Sequence, residues 1–145
     1  MKIQKQWSSD MMADGTLLGF VPTLDVLLSG PQGETATWEF LIDSGAEFSM
    51  APRELCEFLG IAWEDGTPMV VSGIAGRDEC DVVGRIHEVE VSIPGVDRRL
   101  VIPIFFAAGD SVSLIGRRGF FDAFRIEFDQ PYRTTTLEPL WDESE

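Results

Sequence analysis

The stretch Thr37-Trp38-Glu39-Phe40-Leu41-Ile42-Asp43-Ser44-Gly45 constrains this chain more than any other. Trp38, Phe40 and Ile42 alternate with Thr37, Glu39 and Leu41, the period of a strand with at least one buried face. The strand stops at a carboxylate, and a hydroxyl, a glycine and a small residue follow. It therefore delivers Asp43 to a tight turn at the edge of a core. The support is rigid, and the glycine lets other groups come close. Asp-Ser-Gly is also ordinary turn chemistry, in which Asp and Ser bond the local backbone. The two readings separate on whether other stretches of the chain keep this turn company.

A second apolar run, Val112-Ser113-Leu114-Ile115, ends in Gly116-Arg117, and a glycine-rich stretch, Val70-Val71-Ser72-Gly73-Ile74-Ala75-Gly76, lies between. Taken in order, these three motifs resemble the retropepsin family of aspartic proteases. In that family a hydrophobic run leads into Asp-Thr/Ser-Gly-Ala, a glycine-rich flap hairpin follows, and a hydrophobic pair with Gly-Arg comes later. The resemblance spans Gly19 to Glu138. It implies a mainly β, closed barrel-like fold with a flap hairpin and one or two short helices. It also implies that Asp43 is catalytic, that Ser44, Gly45, Ala46 and Gly116 support it, and that Gly73, Ile74, Ala75 and Gly76 close over substrate. Glu47 and Arg117 match residues that pair in retroviral members, so an ion pair between them is expected to brace the dimer region. Arg118 stands where the family has Asp or Asn. No cofactor is implied.

Peptide hydrolysis by carboxylates needs two of them sharing a proton: one activates a water and the other protonates the carbonyl oxygen. Aspartic-protease dyads of this kind are an established case of coupled titration. This chain holds a single Asp-Ser-Gly. The resemblance therefore implies a homodimer with Asp43 contributed by each subunit across a two-fold axis. Acid should favour the pairing, because two close carboxylates resist ionising together. Two other readings stand beside it. One is an inactive retropepsin-like module for dimerisation or peptide binding. The other is an unrelated acidic β-rich binding protein in which Asp-Ser-Gly is only a turn. A serine hydrolase is set aside, since no Gly-x-Ser-x-Gly elbow is present.

Composition narrows the partners. A chain of 145 residues with 44% hydrophobic and 25% charged residues is read as one soluble domain spanning residues 1–145. A net charge of −14 leaves little to neutralise phosphates, which argues against nucleic acid and anionic membrane surfaces. The expected partners are a peptide or protein substrate and a second copy of the chain. Cys56 and Cys80 form no disulfide framework and, with His87 the sole histidine, no metal-ligand spacing. Both read as reduced thiols. No signal core or membrane-length run occurs, so the expected location is cytoplasmic.

Along the chain, residues 1–15 carry no clear period and are read as an arm. Residues 20–28 read as a strand with Leu24, Val26 and Leu28 on one face, forming a hairpin with residues 35–42. Residues 49–60 read as a short helix with Pro52 in its first turn, Leu55, Phe58 and Leu59 inward, and Gly60 at its end. Residues 67–71 and 80–83 flank the glycine-rich tip. Val89, Val91 and Ile93 mark a strand with one wet face, turned by Pro94-Gly95. Residues 100–106 are a near-continuous apolar run and read as a central strand, despite Pro103. Residues 119–124 read as one or two helical turns with Phe120, Phe121 and Phe124 inward. Residues 125–129 and 133–137 form a last hairpin, and residues 140–145 a mobile acidic tail.

Overall fold

The structure is a computed structural model that describes residues 1–72 and 81–141. The described strands are β1 (Ile3–Gln6), β2 (Ser8–Met11), β3 (Leu17–Val21), β4 (Thr23–Ser29), β5 (Thr35–Ile42) and β6 (Ser49–Pro52), then β7 (Thr67–Val71), β8 (Val82–Ser92), β9 (Leu100–Ala107), β10 (Leu114–Ile115), β11 (Phe124–Asp129) and β12 (Thr134–Pro139). Among the described residues, one α-helix, α1 (Arg53–Phe58), and a 3-10 turn at Trp63–Asp65 interrupt them. Seven strands make the main sheet in the order β4-β5-β10-β6-β9-β8-β7, and β4 also pairs with β8, which curls the sheet toward closure. β1, β12 and β11 form a second, three-stranded sheet.

The β4–β5 hairpin forms as expected, with Leu24 opposite Phe40 and Val26 opposite Trp38. Leu24, Val26, Leu28, Phe40 and Ile42 are buried in the main core. Burial sets this register. A slip of one residue would turn Leu24, Val26 and Leu28 to solvent at a cost of about 2 kcal/mol each. A single ladder hydrogen bond contributes only about 1 kcal/mol net. The strand expected over residues 20–28 is broken at Pro22, so its first part becomes β3. The N-terminal residues are likewise more ordered than an arm. β1 pairs with β12, with Ile3 opposite Leu137, and β2 pairs with β3.

The helix expected over residues 49–60 is shorter. Ser49–Pro52 is a fully buried strand running parallel to β9, and only Arg53–Phe58 is helical. Pro52 takes the extended conformation (φ −75°, ψ 155°) that precedes the first helical residue. Leu55 and Leu59 point inward as expected, whereas Phe58 is 66% exposed. Gly60, at φ +69°, ends the turn.

β9 is the central strand that its apolar run predicts. Ile102, Ile104 and Phe106 enter the main core, while Phe105 and Ala107 enter a second cluster on the other face with Met50. Pro103 is tolerated because β6 joins β9 only from Ile104 onward, so one edge of the strand is free there. The expected helix over residues 119–124 is instead a wide turn over Arg117–Phe121, with Gly119 at φ +81°. Phe120 is buried, Phe121 half-buried, and Phe124 already belongs to β11. The last hairpin forms as expected between β11 and β12.

Candidate active site

Asp43 leaves the end of β5 and is held there from the side. β10 inserts between β5 and β6, with Leu114 opposite both Leu41 and Met50. The Leu41 amide donates to the Ser113 carbonyl at 2.9 Å, and the Asp43 amide to the Ile115 carbonyl at 2.9 Å. The Trp38 indole donates to Ser113 Oγ at 2.8 Å. The two motifs, some seventy residues apart in the chain, therefore share one backbone ladder.

The chain then turns tightly. The Gly45 amide donates to Asp43 Oδ1 at 2.8 Å, and the Ala46 amide to the Asp43 carbonyl at 3.2 Å. Asp43 is half-buried, and Ser44 and Gly45 are exposed. Beyond the turn, the residues after β10 clamp the returning chain. The Arg117 amide donates to the Ala46 carbonyl at 2.9 Å, and the Arg118 amide to the Glu47 carbonyl at 2.8 Å. Gly116 lies so close that an added Cβ would sit 2.5 Å from the Phe48 carbonyl carbon and oxygen. Its φ of −99° is ordinary, so close approach is what requires glycine here.

The expected Glu47–Arg117 ion pair is not formed. Glu47 pairs with Arg118 through Nη2 at 2.8 Å and Nε at 3.0 Å. Arg117 Nη1 instead donates to the Ser44 carbonyl at 2.9 Å. The reason is local geometry. The Arg118 amide is bonded to the Glu47 carbonyl, which brings their side chains together, and the Arg118 guanidinium also lies 4.9 Å from the Phe48 ring centroid. Arg118 thus supplies the partner for Glu47, while Arg117 braces the Asp-Ser-Gly turn itself.

Sequence reasoning missed two hydroxyls. Ser49 is fully buried, and its Oγ accepts from the Gly116 amide at 3.0 Å. Ser113 holds Trp38 against the base of the Asp43 strand. A helical reading of residues 49–60 hid Ser49; the only signal was a small polar residue beside an apolar pair. The residues expected at the flap tip, Gly73, Ile74, Ala75 and Gly76, lie outside the described residues. The strands leading to and from that stretch are described: Val71 is opposite Val82. Met69, Val71, Val82 and Ile86 share the second apolar cluster with Phe48, Met50 and Leu114. One apolar cluster therefore joins the facing ends of β7 and β8 to the chain that follows the Asp43 turn, at Phe48 and Met50, and to β10 at Leu114.

Among the described residues, two buried titratable groups lie away from the turn in perturbed surroundings. Burial pushes the Cys56 thiol up to about 11. Burial, helped by Arg85, lowers the His87 imidazole from its ordinary 6.5, and Asp65 and a backbone hydrogen bond to Trp63 oppose this. No group of three or more His, Cys, Asp or Glu is gathered for a metal among the described residues. No helix among them is long and apolar enough to cross a membrane.

The fold is similar to that of a retropepsin-like aspartic protease from Rickettsia conorii, known from a crystal structure. The likeness has a TM-score of 0.58 and covers 94% of this chain and 92% of that one, at 14% identity. The chain thus has a retropepsin-like fold, and at that identity the likeness speaks to the fold alone. No protein-family model matches the chain, and no curated protein matches it.

Proposed function

We propose that this chain is an aspartic endopeptidase that acts as a homodimer, with Asp43 of each subunit forming the catalytic dyad. The observation that carries the reading is the mounting of Asp43 within a retropepsin-like fold. β5 ends on it, β10 fixes its amide, and Arg117 fixes the turn that follows. In the dimer one Asp43 takes a proton from water while the other, protonated, donates to the peptide carbonyl. The Ser44 hydroxyl, exposed at the turn, is free to bond across to the partner's turn. Gly45 keeps the approach open, and Ala46 and Gly116 let the two strands of the loop pack closely. Gly73, Ile74, Ala75 and Gly76, in the stretch between β7 and β8, are assigned to cover a bound peptide, and the apolar cluster that includes Met69, Val71 and Phe48 supports the strands on either side. A protein or peptide is the substrate.

The competing reading is an inactive dimerisation or peptide-binding module. It is favoured by one observation: the Gly45 amide on Asp43 Oδ1 is the bond that Asp makes in any such turn. Cleavage of a mixed peptide library between acid and neutral pH separates the two. The active reading expects turnover by the wild type and its loss in Asp43→Asn, by at least about a thousandfold, as removal of an acid–base group implies. Equal cleavage by both proteins overturns the assignment of Asp43. Dimers that cleave nothing favour the inactive module.

A further inference from the structure

The β2–β3 ribbon is a two-stranded sheet of its own. Among the described residues these two strands pair only with each other. The loop between them is well made: the Met12 amide donates to the Thr16 carbonyl, and the Gly15 amide to the Met12 carbonyl. The root is anchored. Trp7 donates its amide to the Arg133 carbonyl, the Arg133 guanidinium stacks 4.0 Å from the Phe20 ring centroid, and the Ser8 hydroxyl bonds that of Thr23. The far end is apolar and uncovered. Met11 is 56% exposed, Met12 50%, Leu17 51% and Leu18 61%. Three large apolar side chains on one two-stranded ribbon, with a fourth, Met12, in its connecting turn, are unusual for a free surface, and such ribbons are marginal in water without something to pack on.

The register says where the ribbon lies. Thr23 is opposite Leu41, and the Ile42 amide donates to the Pro22 carbonyl. β3 therefore departs from the sheet at the residue beside Asp43, on the Asp43 side. At 3.3 Å per residue its five residues reach ~16 Å from that root. Any arrangement that brings a second Asp43 next to the first also brings the second chain within this reach. The net charge of −14 makes two copies repel through their polar surfaces, so their contact must be apolar where it can be.

We infer that the apolar end of the β2–β3 ribbon, Met11, Met12, Leu17 and Leu18, packs on a second copy of this chain and holds the dimer together. This rests on the pairing of Asp43 across two copies proposed above. The two copies clasp one another reciprocally, each ribbon covering the other chain near its Asp43 turn.

Sedimentation velocity over a concentration series tests it on the full chain. The wild type is compared with a ribbon variant, Met11→Ser, Met12→Ser, Leu17→Ser and Leu18→Ser together. A control carries Phe58→Ser and Val101→Ser, two exposed apolar residues elsewhere. The expected result is a dimer whose dissociation constant rises at least tenfold in the ribbon variant and stays within twofold in the control. Circular dichroism checks that the fold is kept, and the single substitution Leu18→Glu serves if the fourfold variant unfolds. Unchanged association of the ribbon variant overturns the inference, as does a wild type that stays monomeric at every soluble concentration. Ribbon-dependent binding of monomers to phosphatidylcholine vesicles also overturns it and assigns the ribbon to a membrane surface. The two proposals fail separately. An unaltered dimer with cleavage lost in Asp43→Asn removes the ribbon's role alone. Ribbon-dependent dimers with cleavage indifferent to Asp43→Asn remove the protease reading alone.

Discussion

Gly116 shows how much of the Asp43 site depends on one missing side chain. Its amide bonds the buried Ser49 Oγ, and its Cα lies against the Phe48 carbonyl. A methyl there would meet backbone, which cannot rotate away as a side chain can. Gly116→Ala is therefore expected to lower stability by about 2–4 kcal/mol, the range of a severe overpacking change. Urea unfolding measures this, and a loss below about 0.5 kcal/mol would show that the loop relaxes freely. The Glu47–Arg118 pair belongs to the opposite class. Both side chains are more than half exposed, and such pairs contribute about 0–1 kcal/mol. The Asp43 turn is thus fixed by small residues that permit close backbone contact and by the Arg117 bond to the Ser44 carbonyl, and not by the exposed Glu47–Arg118 pair. Asp43, Ser44 and Gly45 were legible as a turn at a strand end because turn and strand chemistry mark them locally, whereas Gly116 stood out through the resemblance. The choice of Arg118 over Arg117 as partner of Glu47 was not legible, because neighbouring arginines differ only in which way a folded backbone aims them.

Among the elements, β8 carries the group that should make stability depend on pH. His87 is 7% exposed, between the Trp63 and Phe106 rings, and its Nε2 has no hydrogen-bond partner among the described residues. Arg85, two residues away, holds the carbonyls of Glu64 and Gly66 and so fixes the 3-10 turn over the imidazole. Burial lowers the His87 titration in the folded chain below its ordinary 6.5. Below that ordinary value the unfolded chain takes up a proton that the folded chain resists. The sign is then fixed: stability falls as pH drops from 6.5 toward the lowered value, by at most about 1.4 kcal/mol per pH unit. His87→Leu removes the proton site. Unfolding free energies at neutral and mildly acidic pH should show a smaller acid loss in the variant; identical slopes would refute the assignment. Elements were legible where a period repeated, as in β4, β5 and β9. Ser49–Pro52 was misread because four residues buried on all sides show no period, and its apolar content suits a strand and a helix equally.

At the scale of the whole molecule, the proposed dyad, shared between copies, would make activity a property of pairs. Mixing one part wild type with three parts Asp43→Asn, after subunit exchange, should leave about one quarter of the wild-type subunits in active pairs. Specific activity per wild-type subunit should fall to that level. Activity unaffected by the excess variant would place catalysis within one chain. Acid would help the proposed pairing of carboxylates but erodes the His87 contribution, and it approaches the sequence pI of 4.3, where the vanishing net charge favours precipitation. The working pH should therefore be a compromise above that point.

Fold class and the position of Asp43 at the end of a strand were readable along the chain alone. Alternation, glycine and proline breaks, and the order of three short motifs are all local or ordered along the chain, and they need no partner to be read. Tertiary structure alone decided what meets what. It put β10 beside β5 and β6, turned residues 49–52 into a buried strand, gave Glu47 to Arg118, seated His87 beneath Trp63, and left the β2–β3 ribbon uncovered. Each of these depends on residues far apart in the chain. Their pairing is set by the burial of whole faces, and no local pattern records which face will meet which.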